Sequence, residues 1–264
     1  MQMYHHQMLR ILLCALVFAV GSVSMHAQIT ADSNRLVHYE TLYLVVNVKR
    51  PPFDNVYLRY ALAMATDRLA LTKLLEKDGT HYVAGGGFVP PYAGYAPIEH
   101  LRVMVDGEEL DIVSYEPAAA RRMSLKARAS TDAADPLNVE ILAYAGDEAE
   151  ILTRALSEMW TRNLGVRVNI TLKPWHEYLN AAERFDFAGV AFQGRSMLMA
   201  QPDTLLFSAM FELEKVGWTD REVMNTLDRI GSEHSYFRAA SKLRATEERI
   251  LRLMPIIPLF SRTP

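Results

Sequence analysis

Leu137 to Leu172, LNVEILAYAGDEAEILTRALSEMWTRNLGVRVNITL, is the stretch that decides the fold class. Leu137, Val139, Ile141 and Ala143 alternate with polar neighbours, which predicts a strand. Asp147, with Glu150 three residues on, is placed as the N-cap of a helix in a capping-box-like arrangement. Ile151, Leu152, Ala155, Leu156, Met159 and Trp160 then recur at helical spacing, and Gly165 ends the helix. Val166, Val168, Ile170 and Leu172 alternate again. Strand, helix and strand over this distance predict a βαβ unit with parallel pairing and a right-handed crossover, so the class is α/β.

The same reading extends in both directions. Upstream, Tyr39 to Lys49 (YETLYLVVNVK) is a strand bounded by Pro51-Pro52, and Asp54 or Asn55 caps a helix from Val56 to Lys77, which Gly79 ends. Residues 79–97 form a loop rich in Gly, Pro and Tyr. After a turn at Gly107 comes a short helix, Glu116 to Arg128, and the polar connector Ala129 to Pro136 is a surface loop within one domain. Downstream, Trp175 to Phe185 gives a short helix and Phe187 to Phe192 a third strand. Thr219 with Glu222 opens another helix, an amphipathic helix runs from Tyr236 to Leu253, and Pro255 to Phe260 (PIIPLF) is a final apolar strand.

Composition narrows the function classes. The 264 residues carry a formal net charge of -3, with no basic stripe for a phosphate backbone, so nucleic acid is not expected as a ligand. Met1 to Arg10 has no acid, Ile11 to Val20 is uninterrupted apolar, and Gly21 to Ala27 is small and weakly polar. This order predicts a signal peptide over residues 1–27, with cleavage after Ala27 or after Ser24. The apolar run is about half the roughly 20 residues that a membrane span requires. Cys14, the one cysteine, lies inside it behind Leu13, which disfavours lipidation and leaves a mature chain without thiols.

Several segments together resemble bacterial extracellular solute-binding proteins of family 5, the oligopeptide, dipeptide and nickel-binding type. NVKRPPFDNVYLRYALAMATDR at Asn47 to Arg68 is similar to the family's N-x-x-x-P-F-x-x-x-x-V-R-x-A-L-x-x-A-x-D-R segment. FVPP at Phe88, GYAP at Gly94, YEPAAARRM at Tyr115, the Ile151 to Leu179 crossover and the Arg238 to Phe260 ending follow in the family's order. The resemblance implies a periplasmic-binding-protein-like (type II) lobe with a mainly parallel sheet flanked by helices. It places residues 28–264 as the C-terminal lobe, with the first lobe absent. It also implies an exported, periplasmic or otherwise extracytoplasmic protein that binds a peptide or related small solute for an ABC permease. A separate chain supplying the first lobe is a further expected partner. No enzymatic activity, cofactor or metal is expected: the histidines form no H-E-x-x-H pair, and no G-x-S-x-G elbow is present.

One departure affects the site. At Gly194 to Pro202 (GRSMLMAQP), Arg195 stands at the family's Trp position, Leu198 at its Asp position and Met199 at its Tyr position. The carboxylate that the family offers to a peptide's amino group is therefore missing. Gln193, Arg195 and Ser196 are the candidate ligand-binding residues, placed just after the third strand at the carboxyl end, where open α/β sheets bind ligands. Arg195 suits a carboxylate, although a solvated loop arginine fits the same pattern.

Two other readings concern the outer surfaces. Glu247 and Glu248, with Arg238, Arg244, Arg249 and Arg252, are expected on the solvated face of the last helix. If the sheet of the final strand belongs to the absent lobe, Ile256, Ile257, Leu259 and Phe260 expose an apolar edge. The alternative function is then a structural module that pairs with another chain through this strand, without ligand binding of its own.

Overall fold

The computed structural model describes residues 38–76, 79–91, 95–130, 136–198, 206, 210, 213–215, 217–230, 233 and 236–263. The expected signal segment and Cys14 lie outside them. Strand β1 (His38–Val46) is followed by α1 (Val56–Met64), α2 (Arg68–Leu74) and β2 (His81–Ala84). The hairpin β3 (Arg102–Val105) and β4 (Glu108–Asp111) leads to α3 (Pro117–Ala129), β5 (Asn138–Tyr144), α4 (Asp147–Leu164), β6 (Arg167–Lys173) and α5 (Trp175–Arg184). Strand β7 (Val190–Leu198), α6 (Arg221–Ile230), α7 (Tyr236–Leu251) and β8 (Ile256–Thr263) complete the order.

The βαβ unit forms as its spacing predicts. Strands β5 and β6 pair in parallel from Asn138↔Arg167 to Tyr144↔Lys173, and Gly165 closes α4 in the left-handed region at φ 64°. The cap differs from the expectation: Gly146 is the N-cap, without a side-chain bond, while Asp147, Glu148 and Glu150 occupy the first turn and act on the helix dipole. On the buried face of α4, Trp160 donates Nε1–H to the Leu62 carbonyl at 3.1 Å and to Thr66 Oγ1 at 3.0 Å. One indole thereby fills core volume and ties α4 to α1.

The expected helix from Val56 to Lys77 is two helices. Asp67 takes an extended conformation and accepts a hydrogen bond from the Ala70 amide, capping α2 and so interrupting the first helix. The break turns Arg68 inward. Its Nε donates to the Pro258 carbonyl at 2.8 Å and its Nη1 to the Val113 carbonyl at 2.7 Å, with the residue 5% exposed. Arg59 is likewise buried, with Nη1 on the carbonyls of Phe53 and Asp54 and Nε on that of Leu253. Arg59 and Arg68 of the Asn47 to Arg68 motif thus bind backbone and hold the fold.

The six-stranded sheet has the order β2-β8-β1-β7-β5-β6. Parallel pairing is confined to β6-β5-β7, and β7-β1, β1-β8 and β8-β2 are antiparallel, so the sheet is mixed rather than mainly parallel. Strands β1 and β8, about 200 residues apart in sequence, run antiparallel as neighbours inside the sheet.

This arrangement also corrects the reading of the final strand. Strand β8 lies inside the sheet between β1 and β2, and Ile256, Ile257, Leu259 and Phe260 are at most 1% exposed. Its apolar side chains are therefore buried in this sheet's own core rather than exposed, and β2 pairs with it at 260–263. Pro258 cannot donate to a ladder, and a bulge falls there: Leu42 pairs with Phe260 and Tyr43 with Pro258, leaving Leu259 as the extra residue.

Smaller elements follow their turn chemistry. Asp106 and Gly107, at φ 51° and 84°, make the tight turn of the β3-β4 hairpin. Asp220, rather than Thr219, caps α6 by accepting from the amides of Glu222 and Val223.

Candidate functional site

Strand β7 outruns its parallel neighbour. It pairs with β5 only at Val190↔Ile141 and Ala191↔Leu142, whereas its pairing with β1 continues to Leu198. Among the described residues, no strand pairs with 193–198 on the β5 side. A cleft of about 590 Å³ opens there. Tyr144 and Glu148 close one end at the junction of β5 and α4, and Trp175, Tyr178, Leu179 and Glu183 of α5 form the wall. Leu42 and Glu40 of β1 and Phe192 to Arg195 of β7 form the floor. These are the carboxyl ends of the parallel strands, where such sheets bind ligands.

An aromatic cluster shapes the wall. Tyr144 meets Trp175 edge-on at 5.3 Å and Tyr178 at 5.6 Å, and Trp175 stacks on Tyr178 at 5.7 Å and 28°. Tyr178 is fixed from beneath, because its hydroxyl donates to the Phe192 carbonyl, and burial pushes that hydroxyl's pKa up. Trp175 nevertheless stays 56% exposed. A rigid ring with one free face is a platform for an apolar or planar group.

Charge sits at the rim. Arg262 of β8 donates to Glu40 Oε2 from Nε at 2.8 Å and to Glu148 Oε1 from Nη2 at 3.1 Å, joining two carboxylates to one guanidinium. Burial alone pulls this arginine down, but its hydrogen bonds to Glu148 and Glu40 outweigh that and hold its pKa up. Lys215 lies 5.3 Å from the centre of the Phe185 ring. Glu40 also approaches Gly194, where a Cβ would meet its Oε1 at 3.1 Å.

Gln193 and Arg195 do line the cleft, but within β7 rather than after it, since the strand runs from Val190 to Leu198 instead of stopping at Phe192. The antiparallel register sets Gln193 opposite Tyr43 and Arg195 opposite Thr41. Arg195 hydrogen-bonds the Tyr43 hydroxyl, which burial pushes up to about 12 against the opposing pull of that guanidinium. Ser196 pairs through its backbone with Glu40; its side chain, those of Met197 and Leu198, and Met199 altogether lie outside the described ones.

Sequence reasoning missed Tyr144, Trp175, Tyr178 and the Glu40–Arg262–Glu148 group. The available signal was positional, because only Pro174 separates Trp175 from the end of β6. Among the described residues, no three His, Cys, Asp or Glu side chains are placed to hold a metal ion.

A second polar centre lies away from the cleft. Glu247, expected on a solvated face, is fully buried. Its Oε1 accepts from the amides of Phe88 and of Val89 (3.0 Å), and its Oε2 accepts from the Tyr95 hydroxyl.

The model of bacterial extracellular solute-binding proteins, family 5 Middle, matches residues 17–212. The periplasmic oligopeptide-binding protein OppA of Escherichia coli (strain K12) is 27% identical over 147 residues, which cover 56% of this chain and 25% of OppA. The oligopeptide-binding protein OppA of Bacillus subtilis (strain 168) is 25% identical over 227 residues, covering 82% of this chain and 39% of the relative. A crystal structure of a periplasmic oligopeptide-binding protein from Borrelia burgdorferi superposes with a TM-score of 0.68 at 21% identity, covering 85% of this chain and 44% of that one. The chain therefore spans between a quarter and about two fifths of the length of these curated relatives. The matched proteins are solute-binding proteins and not enzymes.

Proposed function

The chain belongs to the bacterial extracellular solute-binding proteins of family 5, and on that premise we propose that it binds a peptide or related small solute as the exported component of an ABC transport system. The observation that carries this reading is the β7 edge, whose pairing with β5 ends at Ala191, lying beside the Trp175 platform. An extended peptide adds to such an edge through its main chain, and a neighbouring pocket selects one of its side chains. Here Trp175, Tyr144 and Tyr178 receive an apolar or aromatic side chain, while Arg195 faces a carboxylate and the Glu40–Glu148 pair, sharing one guanidinium, faces an amine.

Partners and location follow the same premise. An ABC permease receives the solute, and a separate chain supplies the wall that faces the cleft. Residues 1–27 direct export to an extracytoplasmic location. Among the described residues, no helix is long and apolar enough to cross a membrane.

Calorimetric titration with the tripeptide Ala-Phe-Ala tests the reading. One open wall buries only part of a ligand, so saturable binding in the millimolar range is expected. Absence of any heat up to the solubility limit of the peptide contradicts it.

A further inference from the structure

Helix α7 grips the segment after β2 at two points. Glu247 holds the amides of Phe88 and Val89 and the Tyr95 hydroxyl, and Arg244 donates from Nη1 to the Ala96 carbonyl at 2.8 Å. Phe88, held by its amide, is itself fully buried and packs its ring edge-on against Tyr43 at 4.8 Å. Tyr43 in turn carries the hydrogen bond to Arg195 in the cleft. A continuous run of contacts thus joins a buried carboxyl to a cleft residue: Glu247, Phe88, Tyr43, Arg195.

We propose that Glu247 is a positioning residue for the cleft, a proton-dependent latch that sets Phe88 against Tyr43 and through it the place of Arg195. The protonated acid keeps Oε1 on the two amides and meets the Tyr95 hydroxyl through Oε2 without burying a charge, and so pins the segment. The ionised carboxylate is a charge in the core that its hydrogen bonds do not fully compensate, so ionisation favours opening and the grip slackens. The groups that face Glu247 allow it to titrate. Arg244, from its own helix, favours the anion, and the Tyr95 hydroxyl and two amides solvate it, with Glu248 also acting on Tyr95. Burial outweighs them and brings the carboxyl to about 7. Gly87 fits the tightness of the site, because a Cβ there would lie 3.1 Å from Glu247 Oε1 and 3.0 Å from the Ile98 amide nitrogen.

Only the last link, to the cleft, rests on the solute-binding reading, so the test has two arms. The first follows amide hydrogen exchange at Phe88 and Val89, corrected for intrinsic rates, on either side of pH about 7. Wild type is expected to lose about tenfold in protection on the alkaline side, where the buried carboxyl ionises. Glu247→Gln, which keeps an acceptor oxygen for both amides, is expected to show no such change. The second arm measures Ala-Phe-Ala affinity over the same range, expected to fall several-fold in wild type as the pH rises and to stay level in the variant. Flat exchange in wild type, or the same profile in both proteins, overturns the latch. Responsive amides with a pH-independent affinity overturn its link to Arg195. Responsive amides in a protein that binds no peptide overturn the solute-binding reading and leave the latch standing.

Discussion

Arg68 and Pro258 lie 190 positions apart in sequence and are joined by a 2.8 Å hydrogen bond from the guanidinium Nε to the proline carbonyl. The bond falls at the bulge where Pro258 interrupts the pairing of β8 with β1, and the same guanidinium reaches Val113. Burial pulls Arg68 down to about 10, against the pull of Asp111 and Asp67. Arg68→Ala leaves two buried carbonyls without a donor and should cost about 3 kcal/mol, read as a lower urea midpoint. Arg68→Lys should recover only part of this, because an ammonium cannot match the planar fork.

The place of β8 inside the sheet makes its removal destructive. A chain lacking residues 255–264 loses the strand between β1 and β2 and the four apolar side chains that it buries. It should lose cooperative unfolding by circular dichroism and become insoluble. A soluble, cooperatively unfolding truncation would show that the sheet closes without β8.

Glu247 predicts a direction for stability against pH. Burial raises its pKa from 4.5 to about 7, so between these values the folded chain holds a proton that the unfolded chain releases. Its contribution is fully present below about 4.5 and is lost as the pH rises through about 7, a total of about 3 kcal/mol. Urea midpoints should fall over this window in wild type, and Glu247→Gln should flatten the slope. A slope of opposite sign in wild type would mean that the hydrogen bonds, not burial, dominate.

Trp175 separates binding from folding. With more than half of its surface exposed, its replacement by Ala should change stability by less than about 1 kcal/mol while weakening Ala-Phe-Ala about tenfold. Thermal unfolding and calorimetry on the same preparation check both halves.

The βαβ unit was readable from sequence because burial on one face of each element imposes a period. The split at Asp67 was not, since an apolar stripe continues through it and the cap wins only once Arg68 has partners on β8. The length of β7 was missed because Gly194 weakens a strand by local propensity, whereas pairing with the long strand β1 overrides it. Glu247 carried a usable signal: it falls at helical spacing among Leu243, Ile250 and Leu251, all buried. The cleft had no linear pattern, as Tyr144, Trp175, Phe185 and Phe192 come from separate elements and the turn after α5, and meet only where β7 passes the end of β5.

The central claim is that a peptide joins the sheet along the β7 edge. Amide hydrogen exchange of residues 192–198, with and without saturating Ala-Phe-Ala, tests it most directly. Strand addition predicts slowed exchange at alternate amides of this segment, with β6 unaffected. Saturable binding that leaves every one of these amides unchanged would contradict it.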